Sequence, residues 1–252
     1  MKFRSLLSLA IVASTALILF SCSKKEEFDS EKISEYLPLQ PGKYITYRLD
    51  SLIYTNFGSV SQVHRYQSKH VIDAQFPDNL GRPSYRVYTY IRDSAGTQPW
   101  TANGTYFVTP LADQIELIDD NFRIIKLHMP IKEGFQWRGN AHLSVHPYAP
   151  TYNFINDEDI QNWRFTYDPV EPTLSYRGNN YTDVLTVSEV DDYTNAPVTN
   201  VNSIGYQSFS VEKYSKNIGL VFRQHILWDY QPSPPPSHYT GFGITMWMID
   251  HN

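Results

Sequence analysis

From residue 42 onward the chain alternates apolar and polar positions with a period of two, the pattern of strands that bury one face. Over residues 44–54, Ile45, Tyr47, Leu49 and Ile53 fall on one face, opposite Thr46, Arg48 and Asp50. The same alternation predicts strands near residues 63–73, 85–92 and 104–109. Residues 114–118 and 122–129 flank Asp119-Asp120-Asn121, a run of turn formers, and read as a hairpin. Residues 134–137, 181–190, 203–214, 220–230 and 242–249 bring the total to about ten to twelve strands. After the first twenty-odd residues, no window holds helical periodicity for more than about eight residues, which argues against strand-helix units and a parallel sheet. The expectation is an all-β, antiparallel fold with at most short helical turns. A strongly curved sheet forming a half-barrel is the first reading, and a two-sheet β-sandwich is the alternative.

The start of the chain follows a different rule. Lys2 and Arg4 precede an uncharged run over residues 6–20, and Lys24-Lys25-Glu26-Glu27 follows almost at once. Crossing a bilayer takes about 20 apolar residues. The shorter run reads as a signal peptide occupying residues 1–21. Residues 22–41 are polar, carry Pro38 and Pro41, and read as a tether with one helical turn over residues 30–37. Residues 42–252 then form a single β-rich domain. Two stretches interrupt its alternation. Residues 140–176 carry four prolines and read as a long loop. Residues 231–237, QPSPPPS, read as a polyproline-like excursion.

Leu19-Phe20-Ser21-Cys22 resembles the bacterial lipobox, in which a hydrophobic and a small residue precede an invariant cysteine. The resemblance implies cleavage before Cys22 and a diacylglyceryl thioether on its sulfur. Cys22 is also the single cysteine of the chain. Two or more acyl chains anchor a protein stably, where one holds it only marginally. Lys25, Glu26 and Glu27 resemble the export signal that sends lipoproteins of Bacteroidota to the cell surface. That makes an outer-membrane lipoprotein displayed at the surface the first reading of location, with a periplasm-facing one as the alternative. In the second half, YTDVLTVSEVDD, YSKNIGLVFRQHILWDYQP and GFGITMWMIDHN are similar in order and spacing to uncharacterised Bacteroidota lipoproteins. That family implies a β-rich fold without assigned chemistry, in outline similar to the half-barrels of lipoprotein carriers. Gly219 in the second motif reads as the relief for a bend or bulge.

Composition sharpens the exclusions. The leader takes two basic residues with it, so the formal charge falls from −5 to −7, without the basic footprint that nucleic-acid binding requires. One cysteine forms no intramolecular disulfide, so stability rests on packing. An aromatic load of 19 Tyr, 13 Phe and 5 Trp suits sheets, and tyrosine tolerates one wet end.

Candidate chemistry is sparse. His142 and His146 are four apart, but β-type sequence and Pro147 would set them about 13 Å apart along a strand, too far for one metal. The acidic runs at residues 157–159 and 191–195 lack the ligand spacing of a calcium loop. Ser208 lacks the second glycine of a nucleophile elbow. No catalytic, metal-binding or cofactor-binding residue is assigned, and the protein is read as non-catalytic, with an unrecognised hydrolase as the alternative. Trp100 and Trp163, in loop-like sequence, are the candidate surface aromatics for glycan stacking, whereas Trp228 and Trp247 read as core. The expected role is binding or structural. Its partners are the membrane through the anchor and a glycan, an apolar ligand or an envelope protein, with a concave half-barrel favouring the apolar ligand.

Overall fold

A computed structural model describes residues 31–252, apart from residues 155, 158 and 177. The expected leader, Cys22 and the expected signal at Lys25, Glu26 and Glu27 lie outside the described residues.

The strands are β1 (Tyr44–Thr55), β2 (Val60–Pro77), β3 (Pro83–Asp93), β4 (Thr101–Pro110), β5 (Gln114–Asp119), β6 (Phe122–His128) and β7 (Gln136–Trp137). After them come β8 (Phe165–Tyr167), β9 (Glu171–Tyr176), β10 (Asn179–Thr194), β11 (Gly205–Ser215), β12 (Gly219–Gln231) and β13 (His238–His251). They form one antiparallel sheet in the order β6-β5-β4-β3-β2-β1-β13-β12-β11-β10-β8-β7, with β9 paired to β10. The sandwich alternative is thereby replaced by a single sheet, curved further than a half-barrel.

The two edges of that sheet come together. Ile125 of β6 donates its backbone N–H to Gly139 O, just past β7, at 2.8 Å. Trp137 Nε1 returns a bond to Ile125 O at 2.9 Å, and the Tyr167 hydroxyl joins both main-chain groups of His128 at 2.9 Å. The result is a nearly closed barrel. Its curvature has a local cause in the register breaks at Thr46/Tyr47, Ile72/Ala74, Ile115/Glu116, Ser188/Val190 and Lys213/Tyr214. Each extra residue bends its strand and adds twist. The last break lies beside Gly219, whose φ is +118°, in keeping with the sequence reading of a bulge there.

Turn chemistry fixes the hairpins. Asp120 and Asn121 both take left-handed backbone, φ 46° and 65°, as a two-residue β5–β6 turn requires. One end of the barrel carries a short helix, α1 (Ile33–Tyr36), whose Ile33 and Tyr36 are buried in the main apolar cluster. Asn217 N donates to Glu35 O at 2.7 Å and Lys216 Nζ lies 3.1 Å from Glu35 Oε2. The helical turn is where the sequence predicts it, but residues 33–39 are packed against the barrel instead of extending from it as a tether.

The segment expected as one long loop, residues 140–176, holds β8 and β9. Its first half folds over the other end of the barrel, where Tyr148, Tyr152 and Phe154 gather around Phe242.

Candidate functional site

Inside the barrel, between the α1 end and the partly covered end opposite it, lies a cavity of about 360 Å³, within the usual range of ligand pockets. Paired residues on antiparallel strands share a face, so the register identifies its wall. Leu49 pairs with Met246, Met246 with Arg223, and Arg223 with Glu212, a row running around the inner surface. The apolar part of the wall includes Leu49, Val87, Val108, Leu117, Ile244 and Met246. Among the residues lining it, Asn103 to Thr105 and Asp119-Asp120 are exposed and form the mouth, beside the β5–β6 turn.

The polar part is unusual for a barrel interior. Lys126 of β6 is 3 % exposed, and its Nζ donates to Glu189 Oε1 at 2.9 Å and to Glu212 Oε1 at 2.7 Å. Both carboxylates are buried as well. Burying a charge is tolerable only when it is paired and hydrogen-bonded, and each oxygen here has a partner. Ser210 Oγ lies 2.5 Å from Glu189 Oε2, and the Tyr214 hydroxyl donates to Glu212 Oε2 at 2.5 Å. Arg223 Nε approaches Glu212 Oε1 at 3.3 Å. Two cations and two anions therefore occupy one end of the wall.

Neutral groups extend the network. His225 Nδ1 lies 2.8 Å from Ser210 Oγ, and its Nε2 lies 3.3 Å from the Tyr148 hydroxyl. With Ser210 giving its single proton to Glu189, His225 donates from Nδ1 and accepts at Nε2 from Tyr148. Burial, then the charges of Arg223 and Lys126, push the His225 pKa far down. His70, on the opposite wall, meets the Tyr106 hydroxyl and Ser68 Oγ, each at 3.1 Å. Burial first, and Arg223 second, lower its pKa to about 4, so it is neutral at neutral pH. The carboxylate of the Ser210–His225 pair contacts the serine and not the histidine. That is the reverse of the order in which a carboxylate orients a base against a nucleophile.

The residues singled out from sequence lie elsewhere. Trp163 is half-buried and packs against the main apolar cluster, with its ring 6.4 Å from that of His225. Trp100 is half-buried beneath the Arg92 guanidinium, 4.2 Å from its ring centroid. Trp228 is buried, and Trp247 stacks on Tyr176 with centroids 3.9 Å apart. His146 pairs with Asp157 at 2.8 Å, and among the described residues no cluster of three His, Cys, Asp or Glu could hold a metal ion. Asn195, from the second acidic run, accepts from Thr199 N at 3.0 Å and Asn200 N at 3.1 Å, organising the β10–β11 turn.

Sequence reasoning missed Lys126, Glu189, Glu212 and Arg223. The available signal was their position. Each is a charged residue inside an otherwise β-type run: IIKLH, VSEVDD, SVEKY and VFRQH.

No family model matches the chain and no curated protein matches it. Among solved structures, a Bacteroides fragilis protein described as a candidate exported protein with a YmcC-like fold is similar over 84% of this chain and 97% of that one. The identity is 10% and the TM-score 0.32.

Proposed function

We propose that this chain is an exported, lipid-anchored binding protein without catalysis, and that its barrel holds a small, largely apolar ligand. One observation carries the reading: the barrel interior holds a cavity of about 360 Å³ with an apolar wall, in place of a filled core. A barrel of about eight strands is just wide enough for side chains to fill, and the interior widens with strand number, so the twelve strands along this sheet leave room inside. Preformed apolar cavities with a few placed polar groups are the ordinary form of small-molecule sites. Export and anchoring rest on the leader and on Cys22, and surface display on Lys25, Glu26 and Glu27. The anchor would keep the barrel at a membrane, where apolar ligands are concentrated.

The test uses the mature chain with Cys22→Ala, which carries no acyl group, and the uncharged fluorophore N-phenyl-1-naphthylamine. Saturable fluorescence enhancement at one site per molecule is expected. Val87→Trp, which fills the cavity from a wall position 2 % exposed, should abolish it. Undiminished binding in the filled variant, or none in the parent, sinks the proposal. For the anchor, metabolic palmitate labelling of the full precursor should be lost in Cys22→Ala, and retained label would overturn the assignment.

A further inference from the structure

The geometry points to an anionic head group on the cavity's ligand, held by Arg223, which makes the ligand class a single-chain amphiphile ending in an oxyanion. The inference rests on the cavity reading above and adds the chemistry at its polar end.

Arg223 sits in the inward-facing row of β12, flanked by Met246 on one strand and Glu212 on the other. Its side chain is 28 % exposed and it lines the cavity, so that exposure faces the enclosed space. A guanidinium presents five N–H donors in a planar fork. Among the described residues no acceptor receives a hydrogen bond from any of them, and Nε is buried without one. Glu212 is the neighbour that could have absorbed the fork. Its oxygens are already committed to Lys126 at 2.7 Å and Tyr214 at 2.5 Å, and Nε approaches it at 3.3 Å without bonding geometry.

Lys126 and Arg223 behave differently towards the same pair of carboxylates. Lys126 is enclosed and fully used. Arg223 is open on its cavity side and unused as a donor. The fork matches a carboxylate or phosphate by two parallel bonds, which an ammonium cannot imitate. Of the other basic side chains lining the cavity, Lys126 is committed to its two carboxylates, Lys43 donates to Asn217 O at 3.0 Å, and His70 on the opposite wall is neutral, so the positive charge offered to a ligand is that of Arg223. The apolar wall at Leu49, Val87, Leu117 and Ile244 takes the chain that such a head group would trail. A carboxylate and a phosphate monoester share this chemistry.

The experiment displaces N-phenyl-1-naphthylamine from the Cys22→Ala chain with dodecanoate, dodecyl phosphate and methyl dodecanoate, which keeps the alkyl chain and loses the charge. At least one anion should displace the probe about tenfold more effectively than the ester, and which one does so distinguishes a fatty acid from a phosphate source. Arg223→Gln should remove that preference, so that acid and ester displace the probe alike, and Arg223→Lys should restore part of it. Equal displacement by acid and ester in the parent, or a preference that survives Arg223→Gln, overturns the inference and leaves the cavity reading standing. Absence of probe binding in the parent overturns both. Melting temperatures of the variants, matched to the parent, establish that a lost preference is not a lost fold.

Discussion

The buried charge cluster makes a prediction that can be worked from distances. Lys126→Met removes the cation from a site where it is 3 % exposed and bonded at 2.9 Å and 2.7 Å to two carboxylates. Glu189 would keep only the Ser210 hydroxyl, and Glu212 the Tyr214 hydroxyl with the off-axis Arg223. Hydrogen bonds to charged groups are each worth about 1.5–3 kcal/mol, and breaking a buried ion pair from one side costs about 3–5 kcal/mol. The upper part of that range applies, because two carboxylates lose their partner at once. Against a typical stability of about 5–15 kcal/mol the variant would lose a third or more. Urea denaturation followed by tryptophan fluorescence should show the midpoint falling by about 1 M or more, given slopes of about 1–3 kcal/mol/M. The triple variant Lys126→Met, Glu189→Gln, Glu212→Gln isolates the cause, since it removes the stranded charges with the cation, and most of the loss should return. A loss below about 1 kcal/mol in the single variant, or a triple variant no more stable than the single, would falsify the claim that Lys126 neutralises these carboxylates.

Three further outcomes follow from the same structure. His70 has a folded pKa of about 4 against 6.5 for the free side chain, so the unfolded chain protonates first as pH falls. Its contribution is therefore complete above pH 6.5 and lost between pH 6.5 and 4, by on the order of 3 kcal/mol. His70→Gln should flatten the fall in urea midpoint between pH 7.5 and 5, and an unchanged fall refutes the assignment. Gly241 takes φ +130°, and a Cβ there would stand 2.2 Å from Leu227 O and 2.6 Å from Trp228 Cα. Gly241→Ala should cost about 2 kcal/mol or more by thermal unfolding, from backbone strain and overpacking together, and a cost under about 0.5 kcal/mol contradicts that close approach. Trp163→Ala should destabilise by about 3 kcal/mol through lost packing and Trp100→Ala by about 1 kcal/mol or less. Equal effects would show that Trp163 does not pack as described.

Strand order apart, much of the sheet was legible because its strands are long and one-sided. Residues 44–54 alternate cleanly, and β1 occupies Tyr44–Thr55. Asp119-Asp120-Asn121 supplied the β5–β6 turn directly. The failures have physical causes. β8 has three residues, too few to show a period, and β9 contains Pro172, which an edge strand tolerates because one side of its backbone pairs with nothing. The cavity was hidden by an inversion of the usual rule. Along the alternating stretch of β11 the buried positions are Ser208, Ser210, Glu212 and Tyr214, with Gly205 and Ser215 buried at its ends, while Phe209 and Val211 are only half-buried. A reader of periodicity places Phe209 and Val211 inside. Lys126, the cation that makes the polar side tolerable, lies on β6, 86 residues before Glu212 in sequence, so no local window reveals the compensation. Closure was likewise unreadable, because it depends on β6 meeting β7 and Gly139 across a curvature that accumulates from separate bulges.

The order of strands also sets an order of events. Tyr47 of β1 pairs with Met248 of β13, about two hundred residues later in the chain. Until the last described strand is available, the side of β1 away from β2 remains an open edge, and the β10–β12 ladder can meet the β1–β6 meander only through the short β7–β8 seam against β6. Pairings so distant in sequence form slowly, and they leave unpaired strands exposed in the interval. A chain made from its N-terminus can therefore build its first six strands early but cannot close the barrel until nearly all of it has emerged. Under the export proposed above, in which the chain crosses a membrane extended, that delay would keep the polypeptide threadable during passage and leave completion of the fold to the far side.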